Sequence, residues 1–234
     1  MFDLRPLKDL GHADHGWLNA HHHFSFAGYL RADRMGFGGL RVWNDDRIAA
    51  GTGFPPHPHR DMEIMTYVRR GAISHEDHLG NRGRTEGGDV QVMSAGTGIR
   101  HAEFNREKEP TEIFQIWVQP NRLGVAPRWE NRQFPSGDRQ GQWVALASGQ
   151  PGHPEAVAIY ADATLWAAQL LPGQTIRHEL LPGRGAYLVA ARGSYRIGDL
   201  QVQARDGLAV TGEPAVEIAA LEPLEVLLLE VAMS

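Results

Sequence analysis

Two short pairs of residues have the types and the spacing expected of metal ligands. His57 and His59 are separated by one proline, and His101 and Glu103 follow after 41 intervening residues, from 60 to 100. In an extended strand, residues i and i+2 project from the same face. Two such pairs on facing strands of a barrel would surround one point with three imidazoles and one carboxylate. The spacing therefore predicts a single mononuclear metal site.

The chemistry of these ligands limits which metals fit. Three imidazoles and a carboxylate suit a borderline divalent transition metal, and four protein ligands leave up to two octahedral positions open. The chain has no cysteine, so thiolate ligands, disulfides and a cysteine nucleophile are excluded, and a closed structural zinc site is disfavoured.

Composition agrees with a catalytic or binding site in the first half of the chain. Ten of the 12 histidines lie within the first 101 residues.

The net charge of −5 and the lack of a dense basic run argue against direct nucleic-acid binding. No apolar run reaches the roughly 18 residues of a membrane helix, and no signal peptide is recognisable. We expect a cytoplasmic monomer.

Short segments rich in β-branched and aromatic residues, bounded by turn formers, predict an all-β fold. The candidate strands are Gly39–Trp43, Met62–Val68, Asp89–Met93, Glu112–Val118, Leu165–Leu170, Ala186–Ala190, Ser194–Ile197, Gly207–Val210 and Leu224–Val231. A weak repeat relates the segment from Tyr67 to Met93 to the segment from Tyr187 to Val210. We therefore expect two tandem barrels, with an N-terminal metal-binding domain at 1–134 and a C-terminal domain lacking metal ligands at 135–234.

The segment Gly53-Phe-Pro-Pro-His-Pro-His-Arg-Asp-Met-Glu63 fits the first cupin motif. Gly88 to Gly96, followed by His101-Ala-Glu-Phe-Asn105, fits the second motif with a longer spacing and with Ser94 in place of its proline. Both departures, and the N-terminal segment from His15 to Phe26, resemble the pirin family. The resemblance is close over the first half and is one of layout only over the second. It implies two cupin (double-stranded β-helix, jelly-roll) barrels, a bicupin, and a bound iron(II), with manganese, nickel, cobalt, copper and zinc as alternatives.

Two glutamates compete for the role of fourth ligand. Ordinary cupins use the carboxylate of the first motif, here Glu63, whereas pirins use that of the second motif, here Glu103. The alternation of side chains does not separate them, because residues 57, 59 and 63 would share one face of a strand without a bulge. The resemblance, together with the i+2 spacing from His101, favours Glu103. Glu63 would then support the site or face solvent.

The remaining histidines have plain structural interpretations. His21, His22 and His23 would alternate between the two faces of a strand, with room for one of them in the pocket. His75 and His78 are expected in a solvated hairpin tip. Gly71 and Gly193 occupy matching positions in the weak repeat, and His57 lies 14 residues before Gly71. The same count from Gly193 places the second-half counterparts of His57 and His59 at Glu179 and Leu181. The second barrel is therefore expected to lack a metal set.

Two functions from different classes follow from the resemblance. One is a metal-dependent dioxygenase that opens the ring of a flavonol such as quercetin with dioxygen, with Glu103 as the catalytic base. The other is a non-enzymatic metal-binding regulator that binds a transcription factor or another protein partner. A cupin isomerase or epimerase is disfavoured, because it would need a catalytic His/Tyr pair without a full ligand set.

Overall fold

The computed structural model describes residues 1–233 and is built almost entirely from β-strands. The first twelve strands are β1 (Phe2–Arg5), β2 (Gly11–Asp14), β3 (Leu18–His22), β4 (Leu40–Ile48), β5 (Gly53–His59), β6 (Glu63–Arg70), β7 (Ala72–Asp77), β8 (Arg82–Glu86), β9 (Val90–Ser94), β10 (Ile99–Phe104), β11 (Thr111–Val118) and β12 (Arg128–Arg132). The others are β13 (Val144–Ser148), β14 (Val157–Ala158), β15 (Ala163–Leu170), β16 (Thr175–Glu179), β17 (Arg184–Arg192), β18 (Tyr195–Ile197), β19 (Leu200–Val202), β20 (Gly207–Thr211), β21 (Ala215–Ala220) and β22 (Leu224–Ala232).

Helical structure in residues 1–233 is confined to three single 3-10 turns. They are Leu7–Asp9, Ala32–Arg34 and Ser136–Arg139. Within the described part of the chain, no helix is long and apolar enough to cross a membrane.

The strands form two barrels with the same plan. The first barrel packs a seven-stranded sheet, in the order β12-β9-β6-β11-β4-β3-β2, against a four-stranded sheet, β5-β10-β7-β8. The second repeats it with β1-β20-β17-β22-β15-β13-β14 and β16-β21-β18-β19. The all-β fold with two tandem cupin barrels is thus confirmed.

The first strand of the chain belongs to the sheet of the second barrel. Strand β1 pairs antiparallel with β20, where it occupies the position that β12 occupies beside β9 in the first barrel. The proposed boundary at 134/135 falls in the connection between β12 and β13, while β1 ties the start of the chain to the far side of that boundary.

The two seven-stranded sheets share one hydrophobic core between the barrels. Trp43 and Phe114 of the first barrel pack with Tyr187 and Leu227 of the second in a single buried cluster. A polar contact crosses the same interface: Asp45 accepts from Arg205 of the second barrel and also, within the first barrel, from Arg69 at 2.5 Å. The outer face of β4 and β11 is buried in this interface, and their inner face forms one wall of the site.

Candidate metal centre

The paired strands β5 and β10 carry the predicted ligands. His57 lies directly opposite His101 in the ladder, and a bulge then shifts the register so that Glu103 faces Phe54. Strand β5 is an edge strand, which accommodates the prolines at 55, 56 and 58, because an edge position does not require every backbone N–H. The alternation of side chains brings His57, His59 and His101 to the same face.

These three histidines form a cluster whose ligand nitrogens all lie within 4.8 Å of one another. The rings of His57 and His101 are 4.5 Å apart between centroids, and those of His57 and His59 are 4.9 Å apart. The Nδ1 of His57 is 2.8 Å from the carbonyl oxygen of Pro55, which leaves its Nε2 free to bind a metal. The Nε2 of His101 is buried and has no hydrogen-bond partner within residues 1–233.

Burial keeps the rings of His59 and His101 neutral at neutral pH. Burial, together with the neighbouring His101 and His57, lowers the pKa of His59 to about 4. Burial, His57 and His75 lower the pKa of His101 to about 3. A metal binds the neutral imidazole, so protons compete weakly with a metal here at neutral pH. The neutral rings and the unpartnered Nε2 of His101 fit a divalent transition metal.

A hydrogen-bonded chain of side chains supports His101 from behind. Its Nδ1 is 3.4 Å from the Nδ1 of His75, whose Nε2 is 3.0 Å from the carboxylate of Asp77. His75 is 1% exposed and stacks on Trp129 at 4.7 Å. The expectation of a solvated position for His75 is therefore wrong, because β7 pairs with β10 and carries this residue into the barrel, whereas His78 is exposed at the hairpin tip.

Glu103 is buried beside the histidines and is held by residues of the opposite sheet. Its Oε1 accepts from Gln91 at 2.5 Å and from Thr66 at 3.3 Å, and its Oε2 accepts from Gln115 at 2.7 Å. An oxygen of its carboxylate lies within 4.8 Å of ligand nitrogens of both His101 and His75, but it does not belong to the cluster of His57, His59 and His101. The carboxylate thus lies next to the triad, with its orientation fixed by three donors.

Glu63, the competing glutamate, lies on the other sheet. It begins β6, which belongs to the seven-stranded sheet, and it joins neither cluster of ligand atoms found in residues 1–233. Ser94 donates to its carboxylate at 2.8 Å, and burial raises its pKa. The alternation of side chains from His57 does not apply, since residues 60–62 separate two strands in different sheets.

The histidine triad opens into a cavity of about 370 Å³ between the two sheets of the first barrel. Most of its wall is apolar and aromatic, with contributions from Leu18, Phe26, Phe54, Ile64 and Trp117. The rings of Trp117 and His59 pack nearly perpendicular, with their centroids 5.0 Å apart. This volume lies within the range of about 300–1,000 Å³ that is usual for small-molecule pockets.

Several polar residues of the cavity wall were not singled out in the sequence. They are Asn44, Asp46 and Gln115. Burial, with the nearby Asp45 and Glu103, raises the pKa of Asp46 well above its usual value. The sequence signal was an Asp45-Asp46 pair within an apolar strand, but only the sheet shows which carboxylate faces the cavity.

The three consecutive histidines at 21, 22 and 23 lie in three different environments. His22 lines the cavity and hydrogen-bonds Asn44 at 2.9 Å, whereas His23 is buried between the barrels against Tyr187 at 2.9 Å. His21 faces Arg205 at 3.3 Å. One member of the run thus lines the pocket.

The interior of the second barrel is apolar where the first carries its histidines. The inward positions of the paired strands β16 and β21 include Ile176, Val216 and Ile218, which belong to a large buried cluster. The count that assigned Glu179 and Leu181 to the ligand positions was wrong, since both are exposed. The inward His178 instead bonds Glu230 at 2.8 Å.

Two tandem cupin barrels, one with a histidine cluster that opens into a cavity, define the class of protein. Residues 4–118 match the family model of pirin, and residues 142–231 match that of the quercetinase C-terminal cupin domain. The chain belongs to the pirin family.

Relatives cover the chain from end to end. A Pseudomonas aeruginosa protein provisionally named quercetin 2,3-dioxygenase is 60% identical over 232 residues, covering 99% of this chain and 100% of that protein. Quercetin 2,3-dioxygenase of Escherichia coli K12 is 40% identical and covers 98% of each chain. The crystal structure of the bacterial pirin YhhW from Escherichia coli in complex with nickel(II) superposes with a TM-score of 0.94 at 39% identity and covers 100% of both chains.

Proposed function

We propose that this protein is a metal-dependent dioxygenase that opens the central ring of a flavonol such as quercetin. The observation that carries the proposal is the triad of His57, His59 and His101 at the wall of an apolar cavity large enough for an aromatic substrate. The geometry places a position for a redox-capable ion beside a largely apolar surface.

The histidine triad, Glu103 and the donors to Glu103 each have a proposed role. His57, His59 and His101 bind one divalent transition metal, and Glu103 is the fourth ligand. A bound metal supplies Lewis-acid activation of a coordinated hydroxyl and a path for electrons to dioxygen. Glu103 accepts the proton of the flavonol hydroxyl, since a carboxylate beside the ligand positions is within reach of that group. Its donors Gln91 and Gln115 fix the orientation of its carboxylate beside His101.

The cavity wall holds the flat rings of the substrate. Trp117 and Phe26 pack edge to face at 5.5 Å, and Phe54 lies on the other strand pair, against His57. Aromatic side chains of this kind stack on or against planar ligands and add affinity beyond area burial. The site therefore matches a planar aromatic compound better than a sugar or a peptide.

The names of the relatives support the proposal. Proteins of Pseudomonas aeruginosa and Escherichia coli that cover nearly the whole chain carry the name quercetin 2,3-dioxygenase, the first provisionally, and the YhhW structure contains nickel(II). We propose iron(II) as the resident ion, with nickel as the first alternative to test.

The test is an oxygen-uptake assay with quercetin. Protein stripped of metal and reloaded separately with iron(II), nickel, cobalt, copper or manganese should consume dioxygen and release carbon monoxide with at least one ion. His59→Ala, with its fold verified by circular dichroism, should lose the activity.

Absence of turnover of any flavonol at full occupancy with each ion would refute the enzyme proposal. The metal-binding regulator would then be the leading alternative. A pull-down with metal-loaded protein as bait, compared with metal-free protein, is the measurement that addresses it.

A further inference from the structure

The inner face of β4 carries a carboxylate that the fold leaves without a partner. Asp46 is 3% exposed and lines the cavity, and its Oδ1 has no hydrogen-bond donor within residues 1–233. Its neighbours in the ladder are Ala20 on β3 and Ile113 on β11, neither of which has a polar side chain. Neither residue directly opposite Asp46 can therefore donate to it from a side chain.

The preceding residue shows what a structural aspartate looks like on this strand. Asp45 points to the opposite face and is paired with both Arg69 and Arg205 between the barrels. A buried polar atom without a partner costs free energy that an apolar side chain would avoid. The pair of adjacent aspartates thus separates into one that holds the barrels together and one that the fold does not use.

A second unpartnered acceptor lies beside Asp46 on the same wall. Gln115 faces Asn44 across the ladder, and so it is diagonal to Asp46 on the inner face of the sheet. Its Nε2 donates to Glu103, which leaves its Oε1 buried and without a donor. Among residues 1–233, Asp46 and Gln115 contribute the only buried carboxylate or amide oxygens in that state.

We propose that Asp46 and Gln115 form a subsite that accepts hydrogen bonds from hydroxyl groups of the ligand, next to the histidine triad. The subsite rests on the proposed function and narrows the substrate class to planar aromatics with further hydroxyl donors besides the oxygens that bind the metal. The nearest other polar side chains of this wall, His22 and Asn44, hydrogen-bond each other at 2.9 Å, so a ligand without these donors would leave both oxygens unsatisfied. A site built to bond a hydroxyl discriminates strongly against analogues that lack it.

The test compares the binding of two ligands under anaerobic conditions, so that no turnover occurs. Quercetin carries several hydroxyl groups, whereas 3-hydroxyflavone keeps only the oxygen pair that would bind the metal. Metal-loaded protein should bind quercetin about tenfold more tightly than 3-hydroxyflavone, as measured by calorimetry or by tryptophan quenching.

Asp46→Leu should reduce that preference to about twofold or less, while Asp46→Asn, which keeps an acceptor oxygen, should retain most of it. Metal content and thermal unfolding of both variants would verify that the site and the fold are intact. Asp46 is a cleaner target than Gln115, because Gln115 also donates to Glu103.

The outcomes separate the two proposals. Equal affinity of wild-type protein for the two ligands, or an unchanged preference in Asp46→Leu, would overturn the subsite and leave the dioxygenase proposal standing. Failure of both ligands to bind would overturn the dioxygenase proposal and the subsite with it. A preference that depends on Asp46 supports the subsite, whether or not turnover is later found.

Discussion

The two barrels share a strand order but differ in what their inward-facing residues do. In the first barrel, β5 and β10 present histidines and a glutamate to a cavity. In the second, the corresponding pair β16 and β21 presents Ile176, Val216 and Ile218 to a filled apolar core. Inward positions on one pair of strands therefore decide whether a barrel holds a site, and the common topology does not.

The difference extends to how each barrel treats buried charge. The second barrel pairs Glu230 with both His178 and Arg184, so its carboxylate is compensated. The first barrel leaves Asp46 without a partner and keeps His59 and His101 neutral. Functional sites often contain uncompensated polar groups, although a residue that served stability alone would make the protein more stable at that position.

The largest expected effect is the loss of metal from one barrel only. His101→Gln should remove most of the bound metal, because it leaves an incomplete set of ligands, whereas His178→Gln should leave about one ion per chain. Elemental analysis after reconstitution with iron(II) or nickel measures both. Wild-type protein with about two ions, or metal loss in the His178 variant, would contradict the proposed contrast between the barrels.

The two glutamates of the first barrel should also behave differently. Glu103→Gln should weaken metal binding, abolish flavonol turnover, or do both, because the amide is a poor ligand and cannot accept the proton. Glu63→Gln should leave metal content near that of the wild type. Glu63 lies on the seven-stranded sheet, away from β5 and β10, and its carboxylate accepts from Ser94 of the same sheet. The reverse pattern in elemental analysis and oxygen uptake would show that Glu63 is the ligand.

Removing one buried carboxylate should destabilise the second barrel but not the first. Glu230→Gln should lower the free energy of unfolding by about 3 kcal/mol, because it breaks a largely buried ion pair. Asp46→Asn should leave the Tm unchanged or raise it. The pKa of Asp46 is raised in the folded protein, so at neutral pH ionisation favours the unfolded chain, and the amide removes that penalty.

Thermal and urea unfolding of metal-free protein at pH 7 measure both variants. A large loss of stability in Asp46→Asn would mean that this carboxylate has a structural partner after all. It would also weaken the contrast between the two interiors.

The smallest expected effect is the acid sensitivity of the first barrel in the metal-free protein. The pKa values of His59 and His101, about 4 and about 3, lie below the usual value of 6.5, so the unfolded chain binds more protons between these limits. Stability should therefore decrease as the pH falls from about 6.5, with the Tm lower by several degrees near pH 4.5.

His101→Gln should flatten this dependence on pH, because glutamine does not titrate. Hydrogen exchange should show the loss of protection first in β5 and β10 and later in β16 and β21. Equal acid sensitivity of the two strand pairs would contradict the assignment of the effect to the histidine cluster.

The sequence was sufficient for the fold and for the candidate ligands. Strand patterning and turn residues predicted the all-β fold, and each of the nine predicted segments overlaps a strand. Thirteen of the 22 strands, among them β5 and β10, were not predicted as segments. The spacings in His57-Pro-His59 and His101-Ala-Glu103 depend on the two-residue period of a strand, which is a local property. Local geometry is readable from sequence because it involves residues close together in the chain.

Pairing between distant strands was the part that the sequence could not supply. It placed His75 behind His101, separated Glu63 from His57 by putting them on different sheets, and turned Asp45 and Asp46 to opposite faces. It also added β1 to the second barrel. The sequence by itself determined which residues could bind a metal and that they lie on strands. Only the tertiary structure decided which of them share a cavity, because contacts between sheets depend on register and packing across the whole chain.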